Sequence, residues 1–311
     1  MDGVFSFLKP PGITSHDAVA ICRRLLKEKR IGHSGTLDPL AYGVLPIFLG
    51  KATRLIEYTE GFDKVYVGEA CFGSFTDTED SSGHLVLPDS SMEVSPLVCC
   101  DYEKGITTVV PNGVVPTFTE LETVLQGFIG TQEQRPSKYS AIKINGIRAY
   151  EYARKGIDVE LPSRIVIVKN IELIAYKFPY FTVRVTCSSG TYIRSLLRDI
   201  FVALKIPGTM TQLCRTQVGL FHINESKMAE EIMHYHEDVL RPVDIALSHL
   251  SKIEVNKVQL IEMKQGKELA LVPAFDHTVE NELYRAYGDD GFIGIVKRTA
   301  HTIKVEKNIF I

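Results

Sequence analysis

Between Phe181 and about Lys205 the repeat of apolar side chains changes from two residues to about four. Val183, Val185 and Cys187 alternate with Thr182, Arg184 and Thr186, the period of a strand with one buried face. Ser188-Ser189-Gly190 interrupts the pattern, and Tyr192, Leu196, Ile200 and Leu204 then recur at helical spacing. A half-buried strand running straight into an amphipathic helix restricts the chain to layered folds in which helices cover a sheet. The junction also leaves the first N–H groups of the helix without partners. Arg194, in the first turn, can hold a carboxylate through two parallel hydrogen bonds, and Tyr192 can stack on a flat ring. An ordinary strand–helix junction with a core tyrosine fits the same letters.

Other segments extend this picture. Residues 3–8 read as a short strand that ends at the turn Lys9-Pro10-Pro11-Gly12. Thr14 and Asp17 form a capping-box pattern before a helix whose apolar face is predicted to carry Ala18, Ile21, Cys22 and Leu25. Residues 65–73 and 165–174 are β-rich, and Pro116-Thr117 leads into a helix expected over 118–128. The stretch 87–116 has prolines, acids and serines but no period, and reads as a surface insertion or mobile loop. After Arg241-Pro242 come short β-like runs, Lys252–Val258, Phe292–Lys297 and Thr302–Ile311, broken by Gly and Asp. The expectation is an α+β domain over 1–245, built on a mixed, largely antiparallel central sheet flanked by helices. A small C-terminal β domain over 246–311 follows, near the lower size for independent folding.

A chain of 311 residues with 45% hydrophobic side chains can bury a sizeable core. No apolar run approaches the ~20 residues needed to cross a bilayer, and Met1–Pro10 lacks a secretory pattern, so no membrane contact and a cytoplasmic location are expected. The six cysteines form no C-x-x-C pair, which argues for reduced thiols and against a zinc site. The net charge of −3 conceals a segregation: residues 61–130 carry 2 basic against 11 acidic side chains, and residues 131–220 carry 14 against 6. Binding a polyanion requires a local basic surface, not a basic whole; solvated faces would give the same counts.

Two further motifs bear on chemistry. In Arg30–Pro46, glycines at 32, 35 and 43 let the backbone bend, and Asp38-Pro39 prevents a helix from continuing. Such a loop can hold one carboxylate at the rim of an apolar segment, as a nucleophile, a general base, a metal ligand, or a simple turn cap. In 135–156, Tyr139, Tyr150 and Tyr152 are interleaved with Arg135, Lys138, Lys143, Arg154 and Lys155. That composition suits a surface that follows phosphates and stacks bases; an amphipathic helix with packed tyrosines is the alternative.

Taken together the segments resemble the TruB family of tRNA pseudouridine synthases. The matching stretches are KPPGITS at 9–15, GHSGTLDPLAYGVLPI at 32–47, KVYVGEACFG at 64–73, TDTEDSSG at 76–83, RPSKYSAIKINGIRAYEYARKGI at 135–157, CSSGTYIRSLLRDI at 187–200 and LCRTQVGLF at 213–221. The resemblance implies the pseudouridine synthase fold, with Asp38 as catalytic nucleophile and Arg194 as its paired arginine. It implies that Tyr66 stacks on the target uracil and is a candidate to take the C5 proton, and that Tyr192 closes the pocket. His33 would fill the space left by the flipped base, with Lys9 and Leu213 as further pocket-lining positions. The implied substrate is uridine 55 in the T-stem and loop of tRNA, handled by a monomer without a guide RNA. The C-terminal unit would be PUA-like. Isomerising uridine needs no redox step and no external group, so neither cofactor nor metal is expected. Departures are Ser34 and Tyr42, where the family more often has threonine, and Cys214, where it often has arginine. Two other readings remain: a non-catalytic tRNA-binding module, and a guide-dependent synthase.

Overall fold

The strand and helix expected between 181 and 205 are both present. In the computed structural model, which describes residues 1–73, 75–86, 98–101, 106–109 and 115–309, they span Tyr180–Cys187 and Ile193–Leu204. Phe181, Val183, Val185 and Cys187 all point into the core. The helix buries Leu196, Leu197, Ile200 and Phe201 and ends at Lys205 in a left-handed conformation.

The main sheet has nine strands. Its path runs Gly3–Lys9, Tyr42–Leu49, Gly208–Val218, Lys64–Phe72, Tyr180–Cys187, Arg164–Lys177, Gly130–Gln134; Ile31–His33 flanks Tyr42–Leu49 and Phe221–His222 flanks Gly208–Val218. All pairings along the path are antiparallel except one. Between Tyr42–Leu49 and Gly208–Val218 the strands are parallel and meet only where Cys214 faces Tyr42 and Arg215 faces Gly43. At that crossing a Cβ on residue 43 would lie 2.3 Å from the Arg215 carbonyl oxygen, and φ is +110°, so only glycine fits. The architecture is the predicted α+β fold on a largely antiparallel sheet.

In Arg164–Lys177 the buried residues are Val166 and Val168, then Ile171 and Leu173. A register shift between Val168 and Asn170 accounts for the change of phase, because one extra residue moves every later side chain to the other face.

Two apolar clusters lie on either side of the parallel crossing. One packs Leu121, Leu125, Leu196, Ile200 and Phe201 on Phe72, Phe181 and Val183. The other packs the helix Ser15–Leu26 on Phe5, Phe7, Leu45 and Ile47. Thr14 caps that helix as expected: its hydroxyl accepts from the Asp17 N–H at 3.1 Å, and Asp17 accepts from the Thr14 N–H at 2.9 Å. The buried face differs from expectation. Val19 and Leu26 join Ala18 and Cys22, and Ile21 and Leu25 are half-buried, a rotation of about one position. A second capping box, Thr117 with Glu120, opens Phe118–Gln126.

Beyond residue 250 a five-stranded sheet runs in the order Ser251–Glu254, Leu283–Gly288, Gly291–Arg298, Thr302–Asn308, Leu269–Ala270. It encloses Ile253, Met263, Phe275, Tyr284 and Ile303. The expected run to Val258 stops at Glu254, and Asn256 caps a helix, Lys257–Lys264. Leu55, Leu247 and Ile295 join this sheet to the main body. Most of the expected insertion at 87–116 lies outside the described residues; within it Val98–Asp101 and Ile106–Val109 pair antiparallel. No helix among the described residues is long and apolar enough to cross a membrane.

Candidate active site

The Asp38 loop is held by its backbone. Ala41 N–H donates to the Asp38 carbonyl at 3.1 Å, closing the Asp-Pro turn. Ser15, the first residue of its helix, accepts from Leu37 N–H at 2.9 Å and donates to the Leu37 carbonyl at 3.1 Å. Gly12 N–H donates to Pro39 O at 2.8 Å. Arg215, with no solvent exposure, donates to the carbonyls of Val44, Gly35 and Thr36 at 2.8, 2.8 and 3.4 Å. Few loop carbonyls are left free to move.

Asp38 and Arg194 meet. Arg194 Nε donates to Asp38 Oδ2 at 2.9 Å, and Nη2 lies 2.8 Å from the same oxygen. The geometry differs from two parallel bonds to two oxygens: both nitrogens converge on Oδ2, and Oδ1 accepts nothing from the described residues. The arginine is buried at 4% exposure, whereas the aspartate side chain is 33% exposed. Arg194 also donates to the carbonyls of Thr78 and Tyr139 at 2.9 and 3.0 Å. Asp80 sits 3.6 Å from its Nε and is itself held by Thr78 Oγ1, Ser82 N and Ser82 Oγ. Burial works against the guanidinium charge, but Asp38, Asp80 and Glu79 outweigh it and raise the Arg194 pKa.

These groups open onto a cavity of about 510 Å³, within the usual range for a small-ligand site, lined by His33, Asp38, Tyr66, Tyr192, Arg194 and Leu213 among others. Tyr66 lies on the strand Lys64–Phe72, and burial pushes its hydroxyl pKa up, with Arg215 acting in the opposite direction. Tyr192 is gripped through its backbone: Gln134 Oε1 accepts from its N–H at 2.8 Å and Gln134 Nε2 donates to its carbonyl at 3.0 Å. The Arg164 guanidinium lies 5.5 Å from the centre of the Tyr192 ring. Burial, helped by His16 and Arg215, lowers the His33 pKa to about 4, so the imidazole is neutral at pH 7.

Lys9 departs from its expected place. It does not line the cavity; its ammonium is buried behind the loop and donates to Ala41 O at 2.7 Å and Pro10 O at 2.9 Å. Burial lowers its pKa to about 8, with Asp38 opposing the fall. Sequence reasoning missed Arg215, Asp80 and Gln134. Asp80 lies in the TDTEDSSG stretch and Arg215 follows Cys214, but nothing in one sequence shows that their side chains turn inward.

The basic and aromatic segment does not form one amphipathic helix. Asn145 and Gly146, at φ +51° and +84°, turn a two-residue hairpin between Lys143–Ile144 and Ile147–Arg148, followed by the short helix Ala149–Arg154. Lys138, Lys143, Arg154 and Lys155 are exposed, and Arg148 and Arg154 flank the Tyr150 ring at 6.0 and 5.3 Å.

Residues 23–98 and 99–193, more than half the chain, match the model of the TruB family pseudouridylate synthase N-terminal domain. The chain belongs to the TruB family of pseudouridylate synthases. Relatives agree over nearly its full length: it is 41% identical over 299 residues to tRNA pseudouridine synthase B of Caldanaerobacter subterraneus subsp. tengcongensis, covering 95% of this chain and 94% of the relative. It is 37% identical over 314 residues to the protein of the same name in Clostridium perfringens, with 99% and 98% covered. Among solved structures it resembles a chain of a Cbf5-Nop10-Gar1 complex, with a TM-score of 0.72 and 25% identity over 99% of this chain and 85% of that one. As a TruB-family protein it is an isomerase that forms pseudouridine. Cys22, Cys71, Cys187 and Cys214 are all buried in this TruB-family chain.

Proposed function

We propose that the chain converts uridine 55 of the tRNA T-loop to pseudouridine, with Asp38 as nucleophile, acting as a monomer in the cytoplasm and without a guide RNA. The observation that carries the reading is the Asp38–Arg194 pair at the floor of the cavity. One carboxylate oxygen meets two nitrogens of the guanidinium and the other takes no hydrogen bond from the described residues. Arg194 meets the carboxylate with two N–H groups, and such charge-assisted bonds hold it in one orientation.

The reaction requires a uracil swung out of its stack, at a cost of a few kcal/mol. The N1–C1′ bond breaks, the ring turns, C5 joins C1′, C5 loses its proton, and N1 gains one. Atoms and charge balance with no external reactant. Tyr192 and Leu213 bound the ring's space, His33 fills the gap in the RNA, and Tyr66 lies against the base. Tyr66 relays the C5 proton: burial keeps its phenol protonated before that step, so it gives its own proton, through water, to N1 as it accepts the one from C5. Lys9 positions the loop instead of touching the base.

The exposed cations of 135–157 follow the RNA backbone, and the five-stranded unit beyond residue 250, the PUA-like domain of this proposal, extends the contact. The domain division at about residue 245 is part of the same reading. The deciding experiment incubates purified protein with an unmodified T-stem and loop RNA and no other RNA. Pseudouridine at position 55 with wild type and none with Asp38→Asn supports the proposal. Activity only when a guide RNA is added supports the guide-dependent alternative. RNA binding without product by either protein supports the binding module.

A further inference from the structure

Arg215 is a buried cation that the mechanism above does not use. It comes from the strand Gly208–Val218, is fully buried, and borders the same cavity as Asp38 and Tyr66. Three of its hydrogen bonds end on neutral carbonyl oxygens, those of Gly35, Thr36 and Val44, the Tyr66 hydroxyl is a further neutral partner, and no carboxylate among the described residues forms an ion pair with it. An uncompensated buried charge is costly, and three carbonyl dipoles only partly offset it. A leucine or methionine would fill the volume of a core position without that penalty. Lys64, a second cation in the cavity wall, is held below its ordinary pKa by burial and by Arg215, so the two charges reinforce each other's potential. Glu60 also borders the cavity but is exposed to solvent.

The chemistry explains what such a charge is for. When the N1–C1′ bond breaks, its electron pair goes onto the uracil, so negative charge appears in the cavity that Arg215 and Lys64 border. A fixed positive group beside that space lowers the barrier without having to reorganise. The same guanidinium fixes both ends of the bend that presents Asp38, at Gly35 and Thr36 before it and at Val44 after it.

We propose that Arg215 is a second positioning arginine of the reaction, clamping the nucleophile loop through three carbonyls and supplying fixed positive potential to the uracil as it becomes anionic. The proposal rests on the reading of Asp38 as nucleophile. It is tested with the full-length protein and an unmodified T-stem and loop RNA, measuring the single-turnover rate and RNA affinity separately. Arg215→Gln is expected to slow the chemical step about a hundredfold while affinity changes less than about threefold; Arg215→Lys, which keeps the charge but spans fewer carbonyls, should recover about tenfold of the loss. Lys and Gln variants that are equally slow, or a Gln variant within about twofold of wild type, overturn the proposal. If circular dichroism shows that neither variant folds, Gly35→Ala decides. Alanine is strained at φ +75°, which moves the loop carbonyl that Arg215 holds although the methyl itself only reaches ordinary contact at 3.4 Å from Nη1; a folded variant with the wild-type rate rejects the clamp. Asp38→Asn is assayed in parallel. If that variant is active, the underlying reading fails; if it is inactive while the Arg215 variants run at the wild-type rate, only this inference fails.

Discussion

Arg194 directs both Nε and Nη2 at a single oxygen of Asp38, a residue of the cavity lining, leaving the other oxygen with no hydrogen bond from the described residues. A symmetrical fork would have tied up both oxygens. The observed arrangement separates two requirements: one oxygen anchors the charge and the other can form a bond.

The first prediction follows from that separation. Asp38→Asn keeps the shape and removes the charge. Pseudouridine formation should fall by about four orders of magnitude or more, since Glu60, the other carboxylate lining the cavity, is exposed to solvent and is not held by Arg194. RNA affinity, measured by filter binding, should stay within about threefold because the phosphate contacts lie elsewhere.

Removing the arginine should cost stability as well as rate. Arg194→Met strips Asp80, whose side chain is only 5% exposed, of its facing cation, and leaves the carbonyls of Thr78 and Tyr139 without their donor. Breaking a buried pair in this way costs about 3–5 kcal/mol. Adding Asp80→Asn to that variant should restore part of the stability, because the stranded charge is gone, but none of the activity. Urea midpoints for the single and double variants check this; a double variant no more stable than the single one contradicts it.

Acid should weaken the fold through His33. Its folded pKa is about 4 against an ordinary 6.5, so the unfolded chain binds the proton first as pH drops. Stability from keeping this imidazole neutral is fully present above 6.5 and is lost between 6.5 and 4, at most about 3 kcal/mol. Comparing denaturation at pH 7 and pH 5 for wild type and His33→Gln should show a smaller acid loss in the variant.

Gly43→Ala should be among the most damaging small substitutions. The added methyl would overlap the Arg215 backbone, and alanine is strained at φ +110°. The expected loss is several kcal/mol, read as a fall in Tm, with pseudouridine formation declining in the folded fraction.

Much of the scaffold is written locally. The period of 181–187, the helix spacing after Gly190, and the Thr14–Asp17 and Thr117–Glu120 caps each involve residues within a few positions of each other, and all appear in the structure. What stayed hidden depends on distant partners. The register shift in Arg164–Lys177 and the rotated face of Ser15–Leu26 are settled by neighbouring elements. Asp38 and Arg194 stand 156 positions apart, and family resemblance alone linked them before their contact was visible. Lys9, Gln134 and Arg215 act on backbone carbonyls and amides, which are the same for every residue type and leave no mark on a partner's identity.

The parallel crossing at Cys214–Tyr42 and Arg215–Gly43 is two residues wide, and Leu37 and Ala41 beside Asp38 pack in the same apolar cluster as Ile193 and Leu196 of the Arg194 helix. The ion pair at the cavity floor therefore measures how the two parts of the sheet lie against each other. A small rotation about this narrow seam would pull the guanidinium from the carboxylate by loosening Leu37 and Ala41 from that cluster, with the strands themselves still paired. Heating should accordingly silence the enzyme several degrees before circular dichroism registers any loss of strand.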